Sequence, residues 1–369
     1  MTPSRQFRTA IVGTGAIAHA HATAIAELAD RARVVAAVDV DPHRASAFAE
    51  QFGVPTTYAG VEELLANEQL DLVHVCTPPK THVPIAVAAM QAGVVPLVEK
   101  PPALTLVEMD RLAEVSALTG VPSLTVFQHR FGSAAVKLRR LLREGVFGRP
   151  LVATCETLWF RDDAYFDVPW RGRWDVEGGG PTMGHGIHQF DLLLSVLGDW
   201  DEVTAMAARQ SRPTDTEDVS LALVRFADGA VASVINSLVS PREVSRLRID
   251  FEHATVEVEH LYGYRDEHWR VTPVPGHEHV LDRWNDGSPD VESGHTAQLA
   301  AIFDALEAGE RPEVGLDEAR RTMEFVAAIY ASAFRGSRVR SGELGPDDPF
   351  ASRMDGGAVP WAPVKEPVS

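Results

Sequence analysis

Four groups of residues in this chain have the types and spacing that chemistry needs. Lys100 stands between Glu99 and Pro101, just past the apolar run 94–98. If that run is a buried parallel strand, its carboxyl end opens onto the crevice where a doubly wound sheet holds its ligands. A cation there can handle a proton during hydride transfer. Taken alone, Glu99 and Lys100 read better as a surface ion pair. The second group is Gly13-Thr14-Gly15-Ala16-Ile17-Ala18. Gly13 permits a tight turn, Gly15 lets the backbone approach a pyrophosphate, and Ala18 is the third small residue, for close helix packing. A helix starting there offers free N–H groups to phosphates. Asp39, 24 residues beyond Gly15, ends a second apolar run and can accept ribose hydroxyls. It also reads as a cap for the helix after Pro42. The third group, Thr77-Pro78, ends another apolar run and extends the crevice wall. The fourth is the run Gly178-Gly179-Gly180 followed by His185, His188 and Asp191, three apart and so near one face of a helix.

These residues need elements to hold them. Residues 9–12, 34–38, 71–76, 94–98 and 123–126 read as strands, and 16–28, 42–51, 62–67, 83–91 and 106–118 as helices. Strands alternating with helices imply βαβ units and a parallel sheet, so residues 1–127 are expected to form a Rossmann-type dinucleotide-binding domain. After a helix at 134–144, the strand-like runs 151–158, 221–226, 231–235, 247–251 and 255–258 follow with few helices between them. Such an order implies a mostly antiparallel sheet, hence an α+β domain over 128–369 for substrate and oligomer contacts. Helices at 296–308 and 316–334 close it, and the Pro- and Gly-rich tail after Gly336 reads as irregular.

Composition narrows the function classes. With 34 Lys and Arg against 52 Asp and Glu, the net charge of −18 argues against nucleic acid as a partner. No run approaches the ~20 apolar residues of a membrane span, and the start carries no apolar leader. Cys76 and Cys155 lie in apolar runs without metal spacing; buried, reduced thiols and a cytoplasmic location are expected.

Four motifs in register resemble the Gfo/Idh/MocA family, which includes glucose-fructose oxidoreductase and inositol dehydrogenase. They are Gly13-x-Gly15-x-Ile17-Ala18-x-x-His21, Asp71 to Thr77-Pro78-x-x-x-His82, Glu99-Lys100-Pro101, and the three glycines leading to Gly186-Ile187-His188-x-x-Asp191. The resemblance implies a Rossmann domain, a second domain with a large open sheet that forms homodimer or homotetramer contacts, a nicotinamide cofactor, and a sugar, cyclitol or related polyol as substrate. It implies that Lys100 contacts the reacting oxygen, that a cis bond precedes Pro101, and that His188 is the catalytic histidine. Gly13, Gly15, Ile17, Ala18, Asp39, Thr77, Pro78, His82, Glu99 and Lys100 are the expected cofactor residues. NAD is the expected cofactor, since Asp39 repels a 2′-phosphate, with NADP open because Arg44 is near.

Relatives often carry an aspartate where this chain has Gly184, and the family resemblance makes it part of the proton-handling set. His185 beside it reads as a substrate contact or as a structural histidine. His185, His188 and Asp191 could in principle hold a metal, but the resemblance implies chemistry without one, and none is expected. Arg130 and Trp170 join His185 as expected substrate contacts, since Trp faces stack on sugar C–H faces and Arg recognises hydroxyls or carboxylates. The leading expectation is an NAD(P)-dependent dehydrogenase or reductase of a polyol. The alternatives are a glycosidase or lyase that oxidises its substrate transiently, and a non-catalytic sugar or dinucleotide sensor.

Overall fold

The structure is a computed structural model that describes residues 6–357 and 359–365. It holds two compact units. The first comprises the chain up to Ala103, Glu108–Val126 and His295–Arg320; the second comprises Leu104–Val107, Phe127–Gly294 and the chain from Arg321 onward.

The first unit is built on six strands: β1 (Phe7–Val12), β2 (Ala32–Val38), β3 (Thr56–Tyr58), β4 (Leu72–Val75), β5 (Val95–Val98) and β6 (Leu124–Thr125). They lie in the order β3-β2-β1-β4-β5-β6, all parallel. Helices between successive strands cover the sheet, so the inner residues of β1, β4 and β5 are buried and mostly apolar, with His74 inside β4 and Pro96 inside β5. The order reverses between β1 and β4, the switch point at which such sheets bind ligands. β3 was not expected: Thr56-Thr57-Tyr58 is a polar edge strand without apolar alternation.

The expected division at residue 127 leaves 295–320 with the second domain, whereas the structure packs this segment in the first unit. The cause is the apolar face of the helix His295–Ala308. It buries Leu299, Ile302 and Phe303 in the same core as Ile25 and Leu72, and Phe303 stacks on Phe7 at 4.7 Å. Burying those three side chains contributes roughly 5–9 kcal/mol before chain entropy is counted.

The second unit carries an eight-stranded sheet. Its strands are β7 (Pro150–Phe160), β8 (Trp200–Ala208), β9 (Val219–Phe226), β10 (Val231–Ser237), β11 (Val239–Phe251), β12 (Ala254–His260), β13 (Trp269–Pro273) and β14 (Val339–Arg340). The order is β13-β12-β11-β7-β10-β9-β8-β14, antiparallel except where β7 meets β10. The helix Ile187–Leu197 packs on β7 and β11. Strand residues alternate between that covered face and an open one. On the open face Met206, Leu221 and Leu223 are exposed, with Val152 and Val231 paired beside them. β14 and a short helix at Pro349–Ser352 give the tail more order than its composition suggests. No helix among the described residues is long and apolar enough to cross a membrane.

Candidate active site

In the first unit the glycine turn follows β1. Gly13 sits at φ +88°, and a Cβ there would come 2.9 Å from the Cys76 carbonyl and from the Thr77 side chain. Only glycine fits both the conformation and the space. The helix Ala16–Glu27 then starts at Gly15 with no side-chain cap and no acid in its first turn, so its first N–H groups face outward for an anion. Ala18 is fully buried against the sheet, while Ile17 is half-buried beside the turn.

Asp39 ends β2 and reaches back to this turn. Its Oδ2 accepts from the Thr14 N–H at 2.9 Å and the Thr14 hydroxyl at 2.7 Å, and its Oδ1 accepts from the Asp41 N–H. Burial opposes its charge, but those hydrogen bonds, with Arg44 nearby, outweigh burial and hold the carboxyl below its ordinary value. Asp39 does not cap the next helix. Asp41 does, accepting from the His43 and Arg44 N–H groups. The residues present fit a dinucleotide: a glycine cradle that a Cβ would fill, an uncapped helix start, and an ionised carboxylate at the end of β2.

Lys100 follows β5, half-buried, and its bond to Pro101 is cis. His82 is buried with its two ring nitrogens 2.8 Å from the carbonyls of Pro101 and Thr77. It clips the Thr77-Pro78 loop to the turn after Lys100, so its ring is spent on backbone rather than aimed at a ligand. Glu99 is likewise turned inward. Its Oε1 accepts from His21 Nε2 at 2.8 Å and His295 Nε2 at 3.2 Å, and its Oε2 accepts from the Lys100 N–H. Burial disfavours its charge, yet the two histidine hydrogen bonds hold the carboxyl well below the usual range.

In the second unit His188 lies in the first turn of the helix Ile187–Leu197, almost fully buried. Its ring is 5.1 Å from that of His129 and 5.9 Å from that of Tyr262. His185 falls in the break between this helix and the short helix Pro181–Gly184, with Trp159 and Tyr165 beside its ring. His185 and His188 therefore do not share one helix, and the three-apart spacing does not make a ligand face with Asp191. Asp191 is committed elsewhere: it takes both arms of Arg130, with Nε donating to Oδ2 at 2.6 Å and Nη2 donating to Oδ1. Arg130, expected as a substrate contact, is placed here in a buried ion pair. A carboxylate with no exposed surface needs a buried counter-charge, and Arg130 supplies it. Trp170 is half-buried, its ring covered by Arg171 at 4.6 Å.

The three glycines also read differently in space. A Cβ on Gly179 would strike the Tyr330 hydroxyl at 2.2 Å, and one on Gly180 would meet the Glu217 carbonyl oxygen at 1.9 Å. Close packing on Glu217 and Tyr330 requires them small. Glu217 accepts from the Gly180 and Thr182 N–H groups and the Tyr330 hydroxyl, and burial pushes its carboxyl up to about 7 against those bonds. Gly184 is the opposite case. A Cβ there would find only Glu177 Oε1, at 3.9 Å, so a carboxylate from the preceding loop lies beside the place where relatives often carry one.

His74 and His295 escaped sequence reading. His74 was detectable as the polar residue inside the apolar strand Leu72–Val75; His295, 196 residues beyond Glu99, carried no signal.

A parallel sheet of this order, with a glycine turn at its switch point, defines a dinucleotide-binding oxidoreductase domain joined to a separate α+β unit. The oxidoreductase family with an NAD-binding Rossmann fold, Gfo/Idh/MocA, matches residues 7–127, and the C-terminal domain of that family matches 135–257. The chain belongs to this family, and its first domain is the family's NAD-binding Rossmann fold. It is similar to D-apiose dehydrogenase of Paraburkholderia graminis, 27% identical over 97% of this chain and 96% of that one. It is also similar to D-glucoside 3-dehydrogenase of Escherichia coli, 25% identical over 91% of this chain and 98% of the relative. Among solved structures, the WlbA dehydrogenase of Bordetella pertussis, in complex with NADH and UDP-GlcNAcA, superposes with a TM-score of 0.81 at 26% identity. It covers 91% of this chain and 99% of its own.

Proposed function

We propose that the chain is an NAD-dependent dehydrogenase of a sugar- or cyclitol-like polyol, with Lys100 and His188 as its catalytic residues. The observation that carries this reading is Lys100 itself, fixed after β5 in a unit whose glycine turn fits a dinucleotide. Relatives named for sugars and glycosides, D-apiose dehydrogenase and D-glucoside 3-dehydrogenase, support the substrate class. NAD, when bound, supplies the hydride acceptor. Lys100 donates a hydrogen bond to the substrate hydroxyl oxygen and stabilises the charge that develops there. His188 takes the hydroxyl proton on its imidazole as the carbon's hydride leaves. Glu99 and His82 hold the Lys100 turn, and Asp39 holds the glycine turn, so these act on the cofactor site through the backbone. The half-buried ring of Trp170 and the His185 ring offer flat surfaces for a sugar.

The test separates binding from chemistry. Lys100→Met is expected to lower NADH formation, on a panel of sugars, cyclitols and their acids, by 10²-fold or more, while NADH affinity stays within a few-fold. Turnover equal to the parent enzyme would overturn the assignment.

The open face of the second sheet is the proposed contact between two copies of the chain, because Met206, Leu221 and Leu223 form a contiguous apolar patch. Leu223→Lys is expected to convert a dimer or tetramer to smaller species in analytical ultracentrifugation. An unchanged sedimentation coefficient would count against it. Two buried free thiols favour a reducing compartment, and the cytoplasm is the proposed location.

A further inference from the structure

Behind Lys100, in the first unit, lies a chain of four buried or nearly buried groups that hydride transfer does not use. His74 Nδ1 is 2.8 Å from His21 Nδ1, His21 Nε2 is 2.8 Å from Glu99 Oε1, and His295 Nε2 is 3.2 Å from that same oxygen. The other carboxylate oxygen, Oε2, accepts from the Lys100 backbone N–H at 3.1 Å.

The proton positions follow from what each atom faces. Glu99 Oε1 can only accept while the carboxyl is ionised, so His21 and His295 both carry a proton on Nε2. Burial lowers the pKa of His21 and sends that of His74 well below its ordinary value, which makes both neutral. A neutral His21 with its proton on Nε2 has a bare Nδ1, which must accept from the Nδ1–H of His74. His74 Nε2 is then a lone pair, buried and without a hydrogen-bond partner. An unmet acceptor costs less than an unmet N–H, so this arrangement is the cheaper of the two.

The same three ligand atoms of His21, Glu99 and His295 lie within 4.8 Å of one another, close enough to surround a metal ion. Proton bookkeeping disfavours that use. A metal on His21 Nε2 would require Nδ1–H to donate to His74, leaving the His74 Nε2–H stranded in the core. The hydrogen-bonded arrangement strands nothing but a lone pair.

We propose that His21, Glu99 and His295 form an anionic clamp that positions Lys100 and sets the charge around it, with His74 fixing the direction of its hydrogen bonds. The three are positioning residues: they act on the reacting oxygen only through Lys100. This inference rests on the reading of Lys100 as catalytic.

The test reads Lys100 directly and needs no substrate. The chain has three other lysines, Lys80, Lys137 and Lys365, and Lys80 is exposed, so it serves as an internal standard. The full chain is labelled with acetic anhydride at pH 8, and acetylation of Lys100 relative to Lys80 is read by peptide mass spectrometry. Glu99→Gln is expected to raise that ratio about threefold to tenfold, because an amine that loses a neighbouring negative charge spends more time deprotonated. His295 lies at the edge of the cluster, so His295→Leu spares the deepest part of the core. It should shift the ratio at least twofold, and His295→Gln, whose amide can donate to the same oxygen, should return it to the parent value. Variants with native circular dichroism and an unchanged ratio would overturn the clamp, as would one equivalent of zinc in the purified protein by plasma mass spectrometry. Failure of the parent reading looks different: Lys100→Met would keep full turnover while the labelling results stood.

Discussion

Arg130 and Asp191 allow a sharp test of whether a buried ion pair or a substrate contact explains the arginine. Both side chains are almost wholly enclosed, at 4% and 0% exposure, and two N–H groups of the guanidinium meet the two carboxylate oxygens. Removing one partner strands the other charge in a medium that cannot solvate it, a loss of about 3–5 kcal/mol. Arg130→Met is therefore expected to lower the urea midpoint by roughly 1 M or more, taking an m of about 3 kcal/mol/M. Replacing both, as Arg130→Met with Asp191→Leu, removes the stranded charge and should recover at least half of that loss. Asp191 is three residues from His188 on one helix, so the double variant also reports on activity. If Arg130 binds substrate, the double variant keeps a lowered activity with a raised KM. If its role is the ion pair, activity returns with stability. A single variant whose midpoint moves by less than about 0.3 M, or a double variant no more stable than the single, would refute this reasoning.

Two glycines in one loop should behave oppositely. Gly180→Ala drives its Cβ into the Glu217 carbonyl at 1.9 Å and is expected to destabilise by more than 2 kcal/mol, whereas Gly184→Ala, with its nearest atom at 3.9 Å, should change thermal stability by under about 0.5 kcal/mol. Equal melting shifts for the two would contradict the packing account. Glu217 gives a pH signature. Its folded pKa of about 7 lies above the 4.5 of an unperturbed glutamate, so the folded state binds the proton more tightly. The stability it contributes is complete below pH 4.5 and is lost as pH rises through 7. The groups facing it are the Tyr330 hydroxyl and the Gly180 and Thr182 N–H groups. Glu217→Gln should remove that slope from the melting curves between pH 5 and 8. A slope unchanged from the parent would show that Glu217 stays ionised throughout.

Residue patterns made some of this architecture readable and hid the rest for definite physical reasons. β1, β4 and β5 are buried on both faces, so their apolar runs announce them, and the glycine turn is legible because Gly13 answers to a backbone constraint. β8 is half polar on its open side, as in Asp201, Glu202 and Thr204, and β3 has no apolar signal at all. Local pattern also cannot reveal pairings across distant chain segments. Arg130 pairs with Asp191, 61 residues away, and Glu99 meets the rings of His21 and His295, 78 and 196 residues away.

The helix His295–Ala308 has a consequence for how the chain comes off the ribosome. The nucleotide-binding core contains Leu299, Ile302 and Phe303, yet these residues are synthesised some 170 positions after β6 has emerged. Until then the nascent first 126 residues lack the helix that packs on Ala16–Glu27 and the ring that stacks on Phe7. Domains usually fold in the order in which they are made. Here the earlier-made core is completed only after Phe127–Gly294 of the second unit has been made, so the middle of the chain is translated while the beginning still waits for its final layer.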